Sequence, residues 1–401
     1  LQVHGAAMTS PSLRIMIAFA LCGGLLASNM YYFQPLSPFI AREMGWSLQQ
    51  ATSLTPVAQA GYGLGLLFLV PLADRMDSRQ LILRMMGVSV IALLLLFLLQ
   101  SWVALLLVTF ILGISLSALQ ILLPVVSGLV SSERRGHALG ILVAGTMVTI
   151  ALARPFASLM GSFGSWQLVF AASAVLIGIG TCILYRMLPS APRSSALAFG
   201  PFMREQIQLW RDHRILRQRA LTQSVLFAAF SAYWTALPPL LVSDAIGLSQ
   251  LQLSLFSLVA ITAALTAPLA GFMSDRQWLR QATWLSLLVV LVAFLIAALA
   301  MSNDTDVAVV CLLIAAGLLD VGVTLHLVIG QRQVVEAAPN SRSRLNSLYI
   351  AAFFAWGAFG SWAGGQLYAT VGWAAVVTML VLLACFGILM QVFWSRQDVH
   401  R

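Results

Sequence analysis

Lysine is absent from this 401-residue chain, and all 22 of its basic residues are arginine. Charge of either sign is scarce: 13 residues are acidic, and 9% of all positions are charged. A soluble domain needs more charge than this to keep its surface wetted, so a water-soluble enzyme or binding module is excluded. Cysteine is also rare. Cys22, Cys182, Cys311 and Cys385 each sit inside an apolar run, without CxxC or Cys/His spacing. They read as small hydrophobes, neither disulfide-bonded nor metal-binding. The chain holds no HExxH pair, no GxSxG, no glycine-rich nucleotide loop and no paired carboxylates within an apolar run. These absences leave a membrane enzyme as only a distant alternative and exclude an ATP-driven pump made of this chain alone. A receptor built on a transporter scaffold would need a soluble output domain, and the sequence has none. The formal net charge is +9, but the arginines fall in separate loops and form no continuous basic face. Nucleic acid is therefore not an expected partner, and no cofactor or metal is expected.

What the chain has in abundance is hydrocarbon. Hydrophobic residues make up 60% of it, and its mean hydropathy is +0.92. A bilayer core about 30 Å thick takes about 20 apolar residues per crossing helix. The expected spans are 14–39, 49–71, 80–99, 102–128, 137–161, 166–188, 219–243, 251–273, 281–301, 307–332, 345–368 and 373–394. Helices are expected because each satisfies its own backbone hydrogen bonds in hydrocarbon. The run 102–128 is long enough to tilt or break. Leu1 to Ala7 precede Met8 and read as an addition ahead of the native start. The stretch Ile15 to Tyr32 lacks a small-residue cleavage site and carries Asn29, Tyr31 and Tyr32, so it reads as a retained span, not a signal peptide.

The arginines set an expected orientation. With the N-terminus in the cytoplasm, the inner loops receive Arg75, Arg79, Arg84, Arg134, Arg135, Arg186, Arg276, Arg280, Arg332, Arg342 and Arg344. The outer loops then hold only Arg42, beside Glu43, Asp244, Asp304 and Asp306. Positive charge stays inside, so both termini are expected to be cytoplasmic. The long hydrophilic stretch from Pro189 to Arg219 divides the chain nearly in half. Its segment Met203–Arg219 is suited to an amphipathic surface helix. The expected organisation is a six-helix bundle over 8–188, a cytoplasmic linker over 189–218, and a second six-helix bundle with a short tail over 219–401.

The two halves echo each other. The segment "PLADR" ending at Arg75 is answered by "GFMSDR" ending at Arg276, which puts Asp74 about 201 residues before Asp275. "MGWSLQQ" from Met44 is answered by "IGLSQLQ" from Ile246, and "FGSW" ending at Trp166 by "TVGW" ending at Trp373. Near-constant offsets of this kind indicate a duplicated unit.

With these residues in place, the whole chain resembles the major facilitator superfamily. The family's loop signature, Gly-x-Leu-Ala-Asp-Arg-x-Gly-Arg-Arg, stands here as Val70-Pro71-Leu72-Ala73-Asp74-Arg75-Met76-Asp77-Ser78-Arg79. Both glycines are replaced, while the Asp–Arg core and the last Arg remain. The segments "NMYYFQPLSPFIA", "QAGYGLG" and "DVGVTLH…GQRQ…SRSRLNSLY" are similar to the bacterial branch of drug–proton and sugar-efflux antiporters. The fifth span departs from that branch, with Arg154-Pro155-Phe156-Ala157-Ser158-Leu159 where Gly-Pro-x-x-Gly-Gly is usual. The resemblance implies an all-α membrane protein of twelve helices, multi-pass in the bacterial inner membrane. It also implies a monomer that moves a small molecule by alternating access, with proton-coupled efflux as the leading reading. The alternative is a facilitator or importer without proton coupling.

Asp320 is the one carboxylate deep within an expected span. An ionised group at that depth costs about 3 kcal/mol on insertion scales, so it should face protein or a wet cavity. It is either a proton carrier or a structural carboxylate held by hydrogen bonds or an arginine. Arg154 is the matching lone arginine. Counted along its helix it lies toward the outer side, where it either snorkels to the interface or bonds helix-end carbonyls, or else holds an anionic group or pairs with a carboxylate. A direct Arg154–Asp320 pair is not expected. By resemblance, Asp74, Arg75 and Arg79 form a gating loop that latches across the two halves, with Asp275 and Arg276 as its weaker echo. Asn29, Tyr32, Gln34, Gln59, Tyr62, Gln120, Gln223, Tyr233 and Trp234 are polar or aromatic residues within spans. They join Arg154 as candidate cavity residues, each with an alternative role as a helix–helix contact. His326 reads as solvated or structural before it reads as a relay. Gly61, Gly63 and Gly65, like Gly357, Gly360 and Gly364, make smooth helix faces suited to sliding or to static packing.

Overall fold

The structure, a computed structural model, describes residues 13–74, 76–128, 135–189, 199–302, 304–338 and 341–399. Among the described residues there is no strand. The first half contains α1 (Leu13–Ser28), α2 (Phe33–Met44), α3 (Leu48–Thr52), α4 (Leu54–Phe68), α5 (Ser78–Leu98), α6 (Trp102–Leu116), α7 (Ala118–Gly128), α8 (Arg135–Gly161) and α9 (Leu168–Met187). After α10 (Phe199–Asp212) come α11 (Arg214–Val242), α12 (Gln250–Ser257), α13 (Ile261–Asp275), α14 (Leu279–Leu299), α15 (Thr305–Glu336), α16 (Arg342–Thr370) and α17 (Trp373–Val399). Helix is the only economical answer for such sequences in lipid, because each segment closes its own backbone bonds.

Several spans are broken helices. α1 and α2 meet at a 45° bend and together are long and apolar enough for one crossing. α3 with α4, α6 with α7, and α12 with α13 are likewise successive pieces of one crossing. The break at Ser117 lies within the run that its length marked as liable to break. Among the described residues, ten helices, or eleven with the bent pair, are long and apolar enough to span a membrane. The remaining expected span, α16, falls outside that set although it is 29 residues long. Its serines, glycines and Gln366 dilute its apolar character, and its buried face packs on α4 and α11, where neighbouring helices replace lipid.

The internal repeat has a local physical cause. Ser47 and Gln50 form a capping box at the start of α3, with Ser47 N–H donating to Gln50 Oε1 at 3.0 Å and Gln50 N–H to Ser47 Oγ at 3.2 Å. Ser249 and Gln252 build the same box at the start of α12, at 2.8 and 3.3 Å. Each box ties down two otherwise orphaned N–H groups. Gly45 and Gly247, which precede these boxes, sit at φ +65° and +74°, left-handed backbone that a Cβ disfavours. The "MGWSLQQ" and "IGLSQLQ" echoes are thus the same turn and the same cap in the two halves.

Within the first half, α1 packs on α8 and α9, and α4 and α5 pack on α6. Within the second, α11 packs on α16 and α17, and α15 on α13 and α14. Among the described residues the halves meet where α3 and α4 pack on α16, α8 on α12 and α13, and α2 on α11. Aliphatic side chains such as Ile91, Leu98, Leu107, Val175, Leu265 and Leu382 point outward over the bundle, the surface expected to meet lipid. α10 docks on the end of the bundle: Glu205 pairs with Arg344 of α16, Gln206 is buried, and Leu209 and Trp210 pack on the core.

The glycine faces separate by role. An added Cβ on Gly61 would meet Phe110 and Ile114 of α6, and on Gly65 it would meet Ile114 and Ser117. On Gly357, Gly360 and Gly364 it would meet Phe227, Ala228, Ser231 and Ala232 of α11. All of these are contacts within one half, so these glycines serve static packing. Gly63 alone of the six faces the other half, toward Ala351 and Ala355 at 3.7 and 3.9 Å.

Candidate functional site

α8 and α15 supply the two anomalous charges. Arg154 is 3% exposed and Asp320 is 1% exposed. Arg154 does not snorkel. Its Nε donates to Gln34 Oε1 at 2.8 Å, and its guanidinium lies 3.9 Å from the Trp234 ring centre, 4.9 Å from Tyr31 and 5.4 Å from Phe230. Cation–π contacts of this kind are worth about 0.5–2 kcal/mol each, more when dry, and they replace part of the lost hydration. Trp234 also donates its indole N–H to Asp320 Oδ1 at 3.0 Å. One indole therefore touches both charges, through its face and through its edge. No ion pair joins them, and Arg154 Nη2 and Asp320 Oδ2 have no hydrogen-bond partner.

Both residues line one void of about 580 Å³, open mouth included, between α8, α11, α13 and α15. It shares Tyr31, Met147, Ile150, Phe227 and Leu327 as lining residues with an adjoining cavity of about 860 Å³. That larger cavity is walled by Tyr62, Gln120, Phe353 and Phe354 and lies toward the end of the bundle where α1 begins and α17 finishes. Apolar walls with a few polar groups suit a small amphipathic ligand.

At the opposite end the seams are closed by neutral groups. Gln59 of α4 donates to Ser231 of α11 at 3.2 Å and accepts from Ser361 of α16 at 3.0 Å; Thr235 donates to Ser361 at 3.1 Å. Ser158 and Ser254 bond across α8 and α12, to Gln250 O at 2.7 Å and Pro155 O at 2.8 Å. Removing the clasp should favour opening at that end. Gln59→Leu leaves Ser231 and Ser361 short of partners, and we expect a shift of about tenfold toward the opposite conformation. The check is maleimide labelling of a Gln250→Cys reporter in a background without native cysteines. An unchanged labelling rate would remove Gln59 from the closure.

The other cavity candidates divide. Tyr62 and Gln120 line the large cavity and bond each other at 3.3 Å. Gln34 holds Arg154 in place. Asn29 is used between helices, accepting from Ser173 at 2.9 Å. Tyr32 packs on Phe156 and Phe170, and Tyr233 donates to Leu312 O at 2.8 Å. Gln223 accepts from His326 Nδ1 at 2.6 Å, and both are fully buried, so His326 is not solvated. Asp74 ends a 3-10 turn, Pro71–Asp74; its side chain and all of Arg75 lie outside the described residues. Arg79 donates to Tyr185 O at 2.5 Å, within the first half. Asp275 pairs with Arg332 at 2.7 Å, within the second half, and Arg276 lies over Phe272 and Trp278. Cys22, Cys182, Cys311 and Cys385 carry no disulfide. Sequence reasoning missed Tyr31, Phe227, Phe230 and Ser231. Spacing held a weak signal, since positions 227, 230, 231 and 234 share one face of α11.

The Major Facilitator Superfamily model matches twice in succession, over residues 19–221 and 219–401. The chain belongs to this superfamily. It is a multi-pass membrane transporter, not an enzyme, and it takes a small-molecule substrate within the membrane. The uncharacterized transporter YgaY of Escherichia coli O157:H7 is 31% identical over 98% of this chain and 97% of its own. The chloramphenicol resistance protein of Streptomyces lividans is 31% identical over half of each chain, 50% and 50%. Among solved structures, the peptide transporter POT in complex with sulfate superposes with a TM-score of 0.75 at 14% identity, covering 98% of this chain and 97% of that one. At that identity the likeness speaks for the fold alone.

Proposed function

We propose that this transporter exports small amphipathic molecules in exchange for protons, by alternating access around the Arg154–Trp234–Asp320 group. One observation carries the reading: Asp320 is a lone buried carboxylate in the inter-half void, its Oδ2 unpartnered and its charge not consumed by an ion pair. A group placed this way can take a proton when the void faces one side and release it when the void faces the other. The resistance protein among its relatives favours export over import. Everted vesicles loaded with a pH-sensitive dye test the proposal: chloramphenicol and other amphipathic compounds should dissipate an imposed gradient only when the chain is present. Substrate movement that ignores a protonophore would favour the uncoupled facilitator.

The orientation belongs to the same reading. Arg79, Arg84, Arg186, Arg276, Arg280, Arg332, Arg342 and Arg344 gather at the end where the cavity lies, so that end is assigned to the cytoplasm and both termini with it. The arrangement is then inward-facing, with functional monomers. A phosphatase reporter fused after Arg401 should be silent and a cytoplasmic reporter active; the reverse pattern would refute the orientation.

A further inference from the structure

We infer that the substrate carries a positive and a negative charge a few atoms apart on an apolar body, as an aromatic amino acid or aminoalkyl benzoate does. The inference rests on the transport reading above and gives its substrate a chemistry. Arg154 and Asp320 face one void, are both more than nine-tenths buried, and are not paired with each other. Each is oriented by one neutral partner, Gln34 and Trp234 respectively, and each keeps a polar atom unsatisfied. Buried donors and acceptors without partners are costly, and charged ones most of all. A neutral ligand would leave both buried charges uncompensated. An anion would serve Arg154 and repel Asp320, and a cation would do the reverse. A zwitterion satisfies both and brings no net charge into the low-dielectric interior. Trp234 sets the spacing, because one charge lies on its face and the other at its N–H edge. The remainder of the ligand then projects into the larger cavity, where Tyr62, Phe227, Phe353 and Phe354 offer stacked and edge-on ring contacts.

The test uses the purified full chain in detergent and reads ligand affinity by thermal shift, which needs neither a gradient nor transport. Phenylalanine and para-aminomethylbenzoate, zwitterions of short and long charge separation, are compared with hydrocinnamate, phenethylamine and phenethyl alcohol. At least one zwitterion should bind, and the analogues lacking one charge should bind about tenfold to hundredfold more weakly, the value of one charged hydrogen bond. Arg154→Gln should erase the difference between zwitterion and amine, and Asp320→Asn the difference between zwitterion and acid. The comparison among ligands on the unaltered protein stands even where a variant fails to fold. Equal binding of a singly charged or neutral analogue, or no binding by either zwitterion, overturns the inference. Zwitterion binding alongside gradient-independent transport would refute only the proton coupling.

Discussion

Asp320→Asn is expected to abolish gradient-driven transport while leaving a folded protein that still exchanges substrate downhill. Asparagine keeps the shape of a protonated aspartate and can accept the Trp234 N–H bond now made to Oδ1. It cannot gain or lose a proton. Substrate affinity should fall by about tenfold to hundredfold, since one hydrogen bond of charged character becomes neutral. In proteoliposomes with an imposed pH gradient, accumulation should therefore drop to the equilibrium ratio, while counterflow persists at raised substrate concentration. Accumulation at the wild-type level would remove Asp320 from the coupling. Loss of the folded protein would favour a structural carboxylate, the other reading open to a buried acid.

The second large effect concerns packing. Gly360→Val should yield no monodisperse protein, because a Cβ there would collide with the Ala228 carbonyl of α11, and backbone cannot move aside as a side chain can. Overpacking commonly costs about 1–3 kcal/mol, and contact of helix backbone with a new side chain lies at the upper end or beyond it. Gly63→Ala is the matched control. Its Cβ finds ordinary contact distances, and alanine favours the helix by about 1 kcal/mol over glycine. Fluorescence-detected size exclusion with a melting series separates the two. A Gly360→Val protein that melts like the wild type would show that α11 and α16 are less tightly joined than their geometry requires.

The spans were readable from sequence to within a few residues because lipid enforces both apolar length and helical backbone. Asp320 and Arg154 were readable for the complementary reason: a charge in an apolar run is an anomaly. Their meeting was not. Counting residues from each helix end sets Arg154 closer than Asp320 to the end away from the termini, but side chains add their own reach. Cα–Cβ bonds tilt toward a helix's N-terminus. α8 and α15 run in opposite directions, so Arg154 leans toward the terminal end while Asp320 leans away from it, and Trp234 closes the remaining gap. Tyr31, Phe227 and Phe230 were illegible because an aromatic residue on an apolar helix looks the same whether it faces lipid or cavity. Asn29, Tyr32, Gln223 and Tyr233 show the converse, polar or aromatic residues engaged between helices, with Ser173, with Phe156 and Phe170, with His326 and with the Leu312 carbonyl respectively.

The clasp at the closed end holds a further consequence. Gln59, Ser231, Thr235 and Ser361 are joined only through amide and hydroxyl groups. None of these ionises under physiological conditions, and dipoles this close are barely screened by dissolved ions. Closure there should be indifferent to external acidity and salinity. The same seal should therefore hold unchanged in brackish or acidic surroundings.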